Sequence, residues 1–324
     1  AAERVGGQAI AASDEFFAEK ENLLKPGRGI FLPDRYTDRG KWMDGWETRR
    51  KRFTPEEADT AHDWCIIKLG LPGIIQGVDI DTNHFLGNSP AYASLEACAA
   101  VADTADEFLR AKWNMLVPKS PLQPGAQNLF AVANNERWTH VRLNIYPDGG
   151  VARLRIYGRV VPDWSVLLKA DRIDLASVAN GGRVIAASDM FFGNRENLIM
   201  PGPATSMADG WETRRRRGGG HDWAIVRLGR PGRVSSIEVD TSHFKGNYPD
   251  RCSIDVCDVA DREIDALNAD LAPWKEILPP TRLSADTCHV FERELKPVDR
   301  CTHVRLNIYP DGGVSRLRVW GNAL

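Results

Sequence analysis

Apolar and polar residues alternate with a period of two over long parts of this chain, and the alternation is clearest in a stretch that occurs twice. His140–Gly158 reads HVRLNIYPDGGVARLRIYG and His303–Gly321 reads HVRLNIYPDGGVSRLRVWG, with sixteen of nineteen positions identical at an offset of 163. Val141, Leu143 and Ile145 point one way, and Arg142, Asn144 and Tyr146 the other, which predicts a strand. Pro147-Asp148-Gly149-Gly150 is turn chemistry, so each copy is expected to be a hairpin closing a domain. Further strands are predicted at Asp63–Leu69, at Ile74–Asp81 after a Gly-Leu-Pro-Gly turn, at Ser94–Val101 and at Leu129–Ala133. Helical turns are expected only after Ser13, read as an N-cap, and at Lys112–Leu116 and Pro273–Leu278. Short strands punctuated by Gly and Pro, with little helix, predict an all-β fold of antiparallel sandwich or jelly-roll type.

Other blocks repeat in the same order. Gly6–Gly27 recurs at Gly181–Gly202, DGWETRR (Asp44–Arg50) at Asp209–Arg215, HDW (His62–Trp64) at His221–Trp223, and IDTNHFLGNSP (Ile80–Pro90) at Val239–Pro249. A duplicated unit of this length is an independent fold and not a solenoid repeat. The expected organisation is a first repeat at 1–162, a linker at 163–179 and a second repeat at 180–324. Repeat 1 carries extra residues on both sides of DGWETRR, around RGIFLPDRYTDRGKWM and FTPEEADTA.

Composition narrows the picture. With 324 residues, 43% hydrophobic and 27% charged, the chain is expected to be an ordinary globular protein of two domains. A net charge of −2 gives no reason to expect a nucleic acid or a membrane as partner, in spite of the basic runs at 49–52 and 214–217. No apolar run reaches the ~18 residues that a spanning helix needs. Six cysteines without a CxxC pair read as free thiols in a reducing compartment, so a cytoplasmic protein is expected.

In an extended DGWETRR segment Glu47 and Arg49 share one side, and Trp46, Thr48 and Arg50 the other. Doubled DGWETRR, HDW, DT-x-HF-x-GN-x-P and H-x-RLNIYPDGG resemble the allantoicase family, and the resemblance covers nearly the whole chain, Gly6 to Gly321, in the family's order. That resemblance implies two jelly rolls of galactose-binding or discoidin-like type, a homo-oligomer, and hydrolysis of allantoate to ureidoglycolate and urea. The alternatives are a related ureide hydrolase, or a non-catalytic sandwich that binds carbohydrate or another small ligand.

A small ureide substrate with a carboxylate calls for Arg, for amide and carboxylate partners, and for a group that moves protons. The expected acid/base set is Glu47, His62 and His84, with Glu212, His221 and His243 in repeat 2. The expected substrate-binding set is Trp46, Arg49, Asn88, Asn144 and Tyr146, with Trp211, Arg214, Asn247, Asn307 and Tyr309. Arg49 and Arg214 are assigned to the substrate carboxylate. Against these stand structural readings: a Glu–Arg bridge between loops, an edge histidine, and a hairpin conserved between copies for its turn alone. No cofactor is strongly indicated. Asp81 and His84 are two donors for a divalent cation without a clear third, which leaves the metal question open.

Overall fold

The computed structural model describes residues 2–57, 59–100, 103–259, 264 and 269–324. The chain forms two compact units, Ala1–Val161 and Pro162–Leu324. Each is a jelly-roll β-sandwich around its own apolar core.

In the first unit the strand Asp63–Asp81 runs through what the sequence predicts as two strands and a turn. Its first half pairs with Trp138–Tyr146 and Gln8–Ala12, and its second half with Arg153–Val160 and Gln127–Ala131. The register jumps from Lys68↔His140 to Gly73↔Trp138, so the Gly-Leu-Pro-Gly segment bends the strand without ending it. The bend is tight because Gly70 lies against the backbone of Val5 and Gly7, leaving no room for a Cβ. Asp222–Asp240 repeats the whole arrangement in the second unit.

The expected hairpin is a turn between two strands that do not pair with each other: Trp138–Tyr146 pairs with the first half of Asp63–Asp81 and with Tyr92–Cys98, and Arg153–Val160 with the second half of Asp63–Asp81. The alternation of its first strand works as its sequence predicts. Val141, Leu143 and Ile145 are fully buried, with Ile67, Ile80, Leu95 and Leu154, in the core between the layers. Asn144 is buried on the opposite face, under polar neighbours described below. The turn is constrained on both sides. Gly149 has φ +135°, and a Cβ on Gly150 would sit 2.0 Å from the buried Phe85 ring. Gly312, Gly313 and Phe244 repeat this. Gly150–Val151 then pairs with Trp46–Glu47, so the hairpin turn is the frame for the DGWETRR segment.

Local expectations fail at several places. Ser13 starts no helix; its hydroxyl donates to Asp63 (2.8 Å) and accepts from the Trp64 N–H (2.9 Å). The expected turns at 112–116 and 273–278 are the starts of the strands Asn114–Pro121 and Lys275–Arg282. A helix forms just before the first of them, at Ala105–Arg110, with Thr104 as its N-cap. The strand expected at Ser94–Val101 is Tyr92–Cys98, and Val101 lies outside the described residues. The 163–179 segment is no free linker. Ile173–Asp174 pairs with the strand ending the second unit, and Leu175 and Ala176 are fully buried in that unit's core.

Candidate active site

The short Trp46–Glu47 strand is held from both sides. Glu47 lies opposite Gly150, and its carbonyl accepts from the N–H groups of Phe17 and Ala18. Alternation sends the two side chains apart. Trp46 is fully buried and its indole N–H donates to the Asp14 carbonyl (2.8 Å); Trp211 does the same to Asp189. This corrects the expectation that the two tryptophans touch substrate: they are core residues. Glu47 points outward, half-buried, and accepts from Asn88 Nδ2 at 2.7 Å. Asn247 donates to Glu212 in the same way. Burial pushes the Glu47 carboxyl above its ordinary value, against the opposing pull of the Asn88 amide.

The arginines divide differently from expectation. The Arg49 N–H (2.7 Å) and Nε (3.0 Å) both donate to the Asp14 carboxylate, and the guanidinium lies 5.1 Å over Phe16. Arg214, Asp189 and Phe191 repeat the arrangement. Burial alone would raise the Asp14 and Asp189 carboxyls, but these backbone and guanidinium donors together hold them below the usual carboxylate range. Arg49 and Arg214 thus tether their loops to Asp14 and Asp189 with guanidinium groups that stay mostly exposed. Lys51 and Arg216 are tethers as well: their N–H groups donate to Asp148 and Asp311 (2.7 Å each), and their side chains meet Asp63 (2.9 Å) and Asp222 (2.6 Å). Between them, Arg50 and Arg215 face outward. Arg50 is 79% exposed and only 3.6 Å from Asp148. Sequence reasoning missed this pair, although the alternation places it on the side opposite Arg49.

In the second unit Glu212, Asn247, Arg215, Arg216, Tyr248 and Asp311 line a cleft of about 710 Å³, with the exposed Phe192 at its edge. Its walls are mostly polar and it offers an acid, an amide and a guanidinium together.

A second cluster sits beside the hairpin turn. The His62 ring is 5.3 Å from the Tyr146 ring, and His221 is 4.7 Å from Tyr309. The tyrosine hydroxyls lie 3.1 Å from Ser94 and Ser253. Asn144 donates to Ser94 Oγ (3.1 Å) and Glu96 (3.0 Å), and Asn307 to Ser253 Oγ (3.1 Å) and Asp255 (2.9 Å). Arg142 and Arg305 close these networks on the same carboxylates. His62 thus lies against Tyr146, while in repeat 2 His221 meets both Tyr309 and Asn307. Asp63 and Asp148, bridged to each other through Lys51, connect this cluster to the strand of Glu47. Repeat 1 adds Lys119, whose Nζ lies 4.7 Å over the Tyr146 ring. It stands outside the repeated blocks, where no sequence signal marks it; Pro280 takes its place in the second strand VPKSP/LPPTR.

His84 and His243 do not join either cluster through any contact among the described residues. Both adopt positive φ (70° and 71°) in the turn after Asp-Thr. His84 stacks on Phe31 at 5.6 Å, and His243 Nε2 lies 3.0 Å from the Ala204 carbonyl. In this structure these contacts anchor the loop. Asp81 is held by Arg28 (3.0 Å) and turns no face to His84. Among the described residues no group of three or more His, Cys, Asp or Glu side chains is placed to hold a metal ion. The first insertion in repeat 1 stacks Arg35 on Trp42 (4.2 Å) and sends Arg39 to the Phe16 carbonyl (2.7 Å), beside the Glu47 strand.

Comparison with known proteins supplies the family. The family described as allantoicase repeat matches residues 1–161 and 173–324. A protein named probable allantoicase 2 from Burkholderia pseudomallei is 49% identical over 98% of this chain and 92% of its own length. A probable allantoicase from Pseudomonas aeruginosa is 48% identical over 98% of this chain and 94% of its own. The crystal structure of allantoicase from Saccharomyces cerevisiae superposes with a TM-score of 0.79 at 39% identity, covering 99% of this chain and 91% of that one. Two family matches, near-complete relatives and a shared fold agree with the doubled motifs: the chain belongs to the allantoicase family.

Proposed function

We propose that the protein hydrolyses allantoate to ureidoglycolate and urea at a site in each repeat. The observation that carries this reading is the doubled, outward-facing Glu–Asn pair on a strand clamped by the hairpin turn, with an exposed arginine three residues on. In this reading Arg215, with Arg50 in repeat 1, receives the substrate carboxylate. Asn247 and Asn88 orient the ureido group and the glutamate together. The electron pair of the breaking C–N bond leaves on the urea nitrogen, which takes the proton of Glu212 or Glu47. Water supplies the hydroxyl to the carbon, and its proton passes to His221 or His62. A carboxyl raised by burial, as at Glu47, suits the donor role because more of it stays protonated toward neutral pH.

A cytoplasmic location and a homo-oligomer belong to the same reading. Six free cysteines, five of them buried, support the first. No helix among the described residues is long and apolar enough to cross a membrane. The direct test is incubation with allantoate in ¹⁸O-labelled water, with urea assayed enzymatically. Urea release with label in ureidoglycolate and none in urea is expected. Absence of urea, or label in urea, contradicts the proposal.

A further inference from the structure

The two halves treat one histidine differently, and hydrogen-bond logic assigns its proton. In repeat 2 the Asn307 amide faces the Asp255 carboxylate at 2.9 Å. A carboxylate only accepts, so the atom facing it is Nδ2, and Oδ1 must face away. Oδ1 faces His221 Nε2 at 3.3 Å, and since an amide oxygen also only accepts, Nε2 is the protonated nitrogen. Nδ1 of neutral His221 then carries the lone pair. In repeat 1 the same amide is fixed the same way by Glu96, but His62 has turned from it. His62 Nδ1 lies 2.7 Å from the Thr60 carbonyl, so here Nδ1 is protonated and Nε2 carries the lone pair. Asn144 Oδ1 is left buried, with no hydrogen-bond partner among the described residues.

The preceding loop explains the difference. In repeat 1 the N–H groups of Thr60 and Ala61 donate to the Glu57 carbonyl at 3.0 and 2.7 Å, a turn that presents the Thr60 carbonyl to the ring. In repeat 2 the corresponding residues are Gly218, Gly219 and Gly220, the last at φ +96°, and no such turn forms. We infer that Asn307 is a positioning residue that fixes the Nε2–H tautomer of His221, leaving Nδ1 as the proton acceptor, and that the Thr60 carbonyl, set by the bonds of Thr60 and Ala61 to Glu57, holds His62 in the opposite tautomer. The two sites are therefore unequal: the accepting nitrogen is Nδ1 of His221 in repeat 2 and Nε2 of His62 in repeat 1. The catalytic part of this inference rests on the proposed hydrolysis; the tautomers do not. The charges around the rings are already paired: Asp222 with Arg216, Asp255 with Arg305, Asp63 with Lys51 and Glu96 with Arg142, while Lys119 lies over Tyr146.

The test is long-range ¹H–¹⁵N spectroscopy of the full chain with labelled histidine, assigned through His62→Gln and His221→Gln. His221 is expected as Nε2–H and His62 as Nδ1–H. Asn307→Ala should give His221 mixed tautomers and lower kcat about tenfold, part of the ~10²–10⁴ that acid–base catalysis supplies, with KM little changed. Equal tautomers in the two repeats, or a His221 spectrum indifferent to Asn307→Ala, would overturn the inference. So would a loss expressed in KM alone. Correct tautomers in a protein that releases no urea would leave the positioning intact and reject the hydrolysis instead.

Discussion

At the scale of single residues, Glu47 shows how placement and titration are linked. Its carboxyl is raised by burial, so the native state binds a proton more readily than the unfolded chain, whose glutamate sits near 4.5. The sign follows from linkage: the contribution to stability is present at low pH and fades as pH rises above 4.5 through the higher native value. Glu47→Gln should therefore be as stable as the parent or slightly more stable at pH 7, while activity at that site falls by ~10²-fold or more. Thermal melts across pH 4–8 check this; a large loss of stability at neutral pH would show Glu47 to be structural. Asp189 has the opposite sign. Its carboxyl is depressed by the Arg214 donors that outweigh its burial, so its contribution holds above 3.8 and is lost as pH falls through the native value. Asp189→Asn should weaken the loop by about 0.5–1.5 kcal/mol at pH 7 and by less in acid, measured by urea denaturation at both pH values.

The same residues show what the sequence could tell. That DGWETRR carries an acid and a cation was legible, because a two-residue period sorts its sides. Which arginine faces the cleft was not, because the partner of Arg49 is Asp14, thirty-five positions away. The period alone also could not say that Trp46 faces the core and Glu47 the cleft. That choice is made by pairing with Gly150.

At the scale of elements, the doubled stretch is chiefly a frame, a turn between two strands that pair with other strands and not with each other. Its alternating apolar face was readable, and so was its turn. What the sequence hid was the reason for the second glycine, which is the Phe85 or Phe244 ring from another loop. Gly313→Ala would drive a methyl group into the Phe244 ring, where a Cβ would lie 1.9 Å from the ring's Cε1. An overpacking cost of about 1–3 kcal/mol is expected, together with a displaced Glu212 and a loss of activity larger than of fold. Denaturant midpoints and urea release measured on one preparation check it. Short helices were the least legible elements, since Thr104 caps a single helix of six residues and Ser13 caps none.

At the scale of the whole molecule, the duplication was plain from four repeated blocks, whereas the border between units was not. Apolar residues in 163–179 are too irregularly spaced to mark a strand. Ile173, Leu175 and Ala176 are buried because Ile173–Asp174 finds the edge of the strand at Trp320 and Gly321, while Val166 and Leu168 stay exposed. A fragment 162–324 should accordingly fold alone, and a fragment 180–324, lacking Ile173, Leu175 and Ala176, should be weaker by about 3 kcal/mol or more. Circular dichroism melts of the two fragments distinguish this from a dispensable linker, for which they would match.

The central claim is that each repeat works through its own outward-facing glutamate. Urea release from allantoate, measured for Glu47→Gln, Glu212→Gln and the double variant at matched folding, tests it most directly. Each single variant is expected to keep a share of the activity, and the double variant to retain ~1% or less. A double variant with substantial activity would contradict the account.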